Sequence, residues 1–68
     1  MRNTTYNWGR IIGKLEGGVL HLYTNQGQYI TTIQSSKGGI TSASWHGGTT
    51  ITTWNDYGMA EHWEISGV

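Results

Sequence analysis

Apolar and polar residues alternate along this chain in short runs, and nearly every run ends at glycine. Val19 to Thr24 sets Leu20 and Leu22 on one side, and Ile40 to Trp45 sets Ala43 with Trp45. Gln28 to Gln34 places Tyr29 and Ile33 on a shared face, and Met59 to Ile65 places Trp63 and Ile65 opposite His62. Period two of this kind suits a pleated strand with one buried face. Arg10 to Leu15 and Thr49 to Trp54 complete six predicted strands, rich in Thr, Ile, Val, Trp and Tyr. The breaks at Glu16-Gly17-Gly18, Asn25-Gln26-Gly27, Gly38-Gly39, His46-Gly47-Gly48 and Asn55-Asp56-Tyr57-Gly58 supply glycine where tight turns need positive φ. The pattern predicts an all-β, antiparallel up-and-down meander over residues 8–68, after an N-terminal tail of residues 1–7.

Composition changes this picture in one respect. Leu, Ile and Val number only twelve, Phe is absent, and four Trp and four Tyr carry much of the apolar area. A 68-residue chain buries only about 60% of its unfolded surface. Without cysteine it has no disulfide or thiolate metal site to supplement that core. Association with further copies is the supplement that remains.

Charge narrows the partners. Lys plus Arg equals Asp plus Glu, four of each, which leaves no footprint for a phosphate backbone and no basic face for a membrane surface. The N-terminus has no apolar core of the export-signal kind, and no run approaches the ~18 apolar residues of a spanning helix. The expectation is a soluble protein that engages neither nucleic acid nor membrane.

A shift of forty residues lays Ile11 on Ile51, Glu16 on Asp56, Gly18 on Gly58, Tyr23 on Trp63 and Gly27 on Gly67. A period near forty is the repeat length of a four-stranded propeller blade. The stretch GGITSASWHGGTTITTWNDYGMAEHWEI resembles a WD40-type repeat, with an inner strand to Trp45, a second through Trp54, an acidic-glycine turn at Asp56 and Gly58, and a third closing on Trp63-Glu64. GGVLHLYTNQGQYITTIQ is similar to a blade's third strand running into the outermost strand of the next, with Tyr23 in place of the closing Trp. The resemblance covers about one and a half blades. It departs from the family where Trp63-Glu64 replaces Trp-Asp, where the Gly-His pair before the inner strand is missing, and where no proline follows Trp45. It implies strands completed by self-assembly around an axis; the alternative is a small closed β-barrel.

Candidate chemistry is sparse. Asp56, Glu61 and His62 are the acid and imidazole groups to weigh first, between and beside Trp54 and Trp63. Glu61 and His62 are neighbours on a strand and point to opposite faces, so they do not cooperate. Asp56 reads as the residue that bonds the amides of its own turn. His21, His46 and His62 share no metal-binding spacing, so no metal or cofactor is expected; a zinc site built by oligomer symmetry is the exception the spacing leaves open. His62 is expected to be partly buried and His46 exposed. Tyr23, Trp45 and Trp63 are expected to pack between sheets. His46, Trp54, Asn55, Asp56 and Tyr57 form the candidate binding patch, an apolar platform flanked by polar groups that suits a protein partner or a glycan. The expected function is thus non-catalytic: a self-assembling binding or scaffold module, with a lectin-like oligomer as the alternative and an acid-base or metal hydrolase ranked last.

Overall fold

The computed structural model describes residues 3–65 and shows an all-β, antiparallel fold without helix. The strands are β1 (Asn3–Asn7), β2 (Ile11–Glu16), β3 (Val19–Thr24), β4 (Tyr29–Gln34), β5 (Ile40–Trp45), β6 (Thr50–Asn55) and β7 (Ala60–Glu64). Each pairs with its sequence neighbour, except that β4 and β5 do not pair. The result is a four-stranded sheet, β1-β2-β3-β4, and a three-stranded sheet, β5-β6-β7. Among the described residues the sheets do not close into a barrel, so the barrel alternative is set aside.

The seventh strand, β1, occupies residues that the alternation leaves as a tail. It pairs with β2 from Asn3↔Glu16 to Asn7↔Ile12 and puts Tyr6 beside Gly13. Tyr6 and Trp8 stack with ring centroids 5.2 Å apart and planes 11° apart. The indole lies over Gly13, where an added Cβ would fall 2.9 Å from Trp8 Cζ3. A glycine inside β2 is therefore the space that seats the indole, and the two rings supply the apolar surface the glycine lacks.

Among the described residues, nine apolar side chains form a single core across both sheets. Ile11, Leu15, Leu20, Leu22 and Ile33 come from the first sheet, and Ile40, Ala43, Ile51 and Ile65 from the second and the residue after it. Cross-strand register explains the first set, since Leu15 sits opposite Leu20, and Leu20 opposite Ile33. Trp45 and Trp63 flank Ile51 on the inner face of the second sheet and are partly buried against the core. Their ring N–H groups are satisfied: Trp63 Nε1 donates to Thr53 Oγ1 at 2.9 Å and Trp45 Nε1 to the Gly48 carbonyl at 3.3 Å.

Two expectations about facing are corrected. The β3–β4 register jumps from Leu22↔Thr31 to Tyr23↔Tyr29, so Ile30 is an extra residue in β4. A bulge of this kind turns over one end of a strand. Tyr29 consequently leaves the face of Ile33; it is 62% exposed while Ile33 is 5%. Tyr23 is half-buried on that same outer face rather than between the sheets, edge-on to Tyr29 at 6.0 Å and beneath the Lys14 ammonium at 5.3 Å from its ring centroid.

The break between β4 and β5 has a local cause. Segment 35–39 is drawn across the end of the second sheet, and β5 starts under the β2–β3 turn instead of beside β4. The Ile40 N–H donates to the Gly18 carbonyl at 2.9 Å. Gly18 and Gly39 touch backbone to backbone, so that a Cβ on Gly18 would lie 2.9 Å from the Gly39 Cα. Gly18 also has φ of +82°, a conformation that side chains strongly disfavour.

Candidate functional site

The five residues expected to form one patch fall into two groups. Asn55 ends β6, Asp56 and Tyr57 follow it in the turn, and all three face the 35–39 segment. His46 lies in the turn at the other end of β6, whose six residues at about 3.3 Å each separate it from Tyr57 by roughly 15–20 Å. Trp54 points to the outer face of the second sheet, opposite Ser42 and Ala60.

The first group is a clamp. Asn55 is 3% exposed and uses every hydrogen-bonding position its amide has. Its Oδ1 accepts from the Tyr57 and Met59 N–H groups, each at 2.9 Å, and its Nδ2 donates to the Lys37 carbonyl at 2.9 Å and to Ser35 Oγ at 3.3 Å. Asn55 therefore organises the turn that the sequence reading assigns to Asp56, and has no donor or acceptor left for a ligand. Asp56 reaches instead across the seam. Its Oδ2 accepts from the Gly39 N–H at 2.9 Å while its own N–H donates to the Gly39 carbonyl at 2.9 Å. Tyr57 is 62% exposed and lies against Gly38, with the Lys37 ammonium 4.8 Å from its ring centroid.

Glu61 completes the clamp from β7. Ser36 Oγ donates to its carboxylate at 2.6 Å and Ser35 Oγ at 2.7 Å. The Ser36 hydroxyl foremost and then the Ser35 hydroxyl hold this carboxyl below the ordinary glutamate range; burial pushes the other way, and the Ser36 amide adds a smaller pull downward. A half-open groove of about 530 Å³ runs beside the seam, lined by Leu15, Gly17, Gly18, Gly39, Ile40, Thr41 and Asp56.

The second group lies on the outer face of the second sheet. Register places Thr52 opposite Ser44 on one side and His62 on the other. Thr52 Oγ1 bonds His46 Nε2 at 2.8 Å and His62 Nδ1 at 3.0 Å. One hydroxyl thus joins two imidazoles that lie far apart in sequence. Both histidines are exposed, which for His62 differs from the burial expected. Trp54 is on the same face two residues from Thr52. The register of β6 against β7 would have found His62 opposite Thr52; nothing in the spacing shows that the turn folds His46 back onto the same hydroxyl.

A hydroxyl bonded to imidazole has the composition of an activated nucleophile. Thr52, however, is 3% exposed, roofed by its partners rather than offered to a substrate. Glu61 spends its oxygens on serines, and Asp56 one of its oxygens on a backbone amide. Among the described residues, no three His, Asp or Glu groups are placed to hold a metal ion together, and no helix is long and apolar enough to cross a membrane. Comparison with protein-family models, curated proteins and solved structures finds no match, so the likeness to a WD40-type repeat rests on the residues that carry it.

Proposed function

We propose that this chain is a non-catalytic β-sheet module that associates with copies of itself and acts by binding a protein partner. The observation that carries this reading is the bare edge at β4. Tyr29–Gln34, YITTIQ, borders its sheet with no charge, proline or glycine, and β4 does not pair with β5. Edges that stay unpaired are usually blunted by lysine, proline or a short length, because exposed N–H and C=O groups recruit another strand. The bulge at Ile30 disturbs one end of this edge and leaves the rest uncharged.

Charge supports the same reading. All four Lys and Arg residues precede residue 40, and three of the four acids follow it. Over the described residues, the first sheet carries Arg10 and Lys14 against Glu16, whereas the second carries Asp56, Glu61 and Glu64 with Lys37 alone beside its end, so the second is the more acidic. Two copies meeting first sheet to second sheet would place opposite charges together, and such a head-to-tail contact repeats from copy to copy.

Molar mass by light scattering over a range of concentrations tests the proposal. The wild-type chain is expected to exceed one copy, and Tyr29→Lys with Gln34→Lys to return it to the monomer while the circular dichroism spectrum keeps its β character. Both side chains are exposed, so the added charges act on the edge and not on the core. A wild-type chain that stays folded and monomeric at every concentration would reject the reading.

A further inference from the structure

We infer that His46 and His62 form a two-imidazole site for a late first-row divalent cation, of which Zn²⁺ and Cu²⁺ are the natural examples. The two bonds to Thr52 Oγ1, 2.8 and 3.0 Å, put His46 Nε2 and His62 Nδ1 within about 6 Å of each other. A threonine hydroxyl carries one hydrogen, so it cannot donate to both rings. When both rings are neutral, at most one nitrogen accepts from the hydroxyl and the other donates to it. The pair is a proton-shared arrangement that a cation replaces simply. Each ring takes the tautomer with its lone pair at the facing nitrogen, keeps its proton on the far nitrogen, and turns toward a common point. Imidazole nitrogen binds Zn²⁺ at about 2.0–2.1 Å, so the rings need to close by a small swing of exposed side chains. The Thr52 hydroxyl is left beneath the ion.

Three further features favour a cation here. Residues 40–65 contain no Lys or Arg, so no cationic side chain of that segment opposes a bound ion. Glu64 stands on the same face of β7 as His62, with Thr49 Oγ1 donating to it at 3.4 Å. The backbone on both sides is fixed, since His62 is paired to Thr52 within the sheet and the His46 N–H donates to the Thr50 carbonyl at 3.0 Å. Only the side chains have to move. Two imidazoles leave positions open on the ion for water or another ligand, and imidazole sites prefer Cu²⁺ over Zn²⁺ at equal geometry.

Zn²⁺ titration of the isotope-labelled whole chain, followed by the imidazole resonances in proton–nitrogen spectra, tests the site. Zn²⁺ is expected to move the His46 and His62 rings together and to leave His21, on the other sheet, in place. His46→Asn and His62→Asn are each expected to weaken binding by roughly tenfold or more. Both positions are exposed, so the fold is kept, and unchanged backbone resonances verify it. Zn²⁺ that leaves both rings unmoved in the wild type, or that binds the double variant as tightly as the wild type, overturns the inference.

Discussion

At the scale of single residues, a buried amide joins parts of the structure that lie far apart in sequence. Asn55 accepts from two amides of the turn after β6 and donates to two oxygens of segment 35–39. It therefore ties a hairpin to the segment that changes sheet. Alanine at this position strands several backbone groups beside a buried site, each at about 1–3 kcal/mol if water does not reach it. Asn55→Ala is expected to lower the unfolding free energy by about 3 kcal/mol in urea titrations. Glu61 holds the same segment through its serine bonds, and the sign of its pH effect follows from its lowered pKa. The folded state binds the Glu61 proton more weakly than the unfolded state, so the contribution is complete above the ordinary glutamate pKa. It shrinks as pH falls past that value and is gone below the folded one. Urea midpoints measured from neutral into acid should fall more steeply for the wild type than for Glu61→Gln.

At the scale of elements, alternation made β2 and β3 readable, because each buries one face and its apolar residues recur every second position; in β5 a register shift between Ile40 and Ser42 interrupts that period, and in β6 Thr52 is buried on the outer face as well. β1 was not readable. Asn3–Asn7 is polar, and what holds it is pairing to β2 and the Tyr6–Trp8 stack over Gly13, contacts between distant positions. The face of Tyr29 was missed for a related reason: period two assumes an unbroken ladder, and the extra residue Ile30 breaks it. The site divides along the same line. That Trp54 and Thr52 share a face is a local property of β6, whereas the junction of His46 with His62 depends on a turn and a register together. Asn55 and Asp56 are adjacent, and both residue types suit turns, so composition alone could not say which would serve the turn and which would cross the seam.

At the scale of the whole molecule, the sheets are one core and two separate hydrogen-bonded units, and the joint between them is narrow. The molecule measures 31 × 23 × 15 Å, thin enough that few residues are far from solvent. Total stability for a chain of this size is of order 3–10 kcal/mol, so a joint worth a few kcal/mol decides whether both sheets stay docked. Gly18 tests that joint, because two costs meet there. Alanine at φ of +82° is strained by about 1–2 kcal/mol, and its Cβ would press on the Gly39 backbone at 2.9 Å, beside the Ile40–Gly18 hydrogen bond. Gly58 isolates the first cost, since it has φ of +76° and no atom within 4 Å of the added carbon. Gly18→Ala is therefore expected to lower the thermal midpoint clearly more than Gly58→Ala. It should also move amide resonances along β5 and the β2–β3 turn, whereas the Gly58 variant disturbs only its own turn. Equal losses would mean that the apolar core docks the sheets without help from the seam. A larger loss at Gly18 would place the docking at the glycine contact, where segment 35–39 crosses and leaves the β4 edge open to another copy.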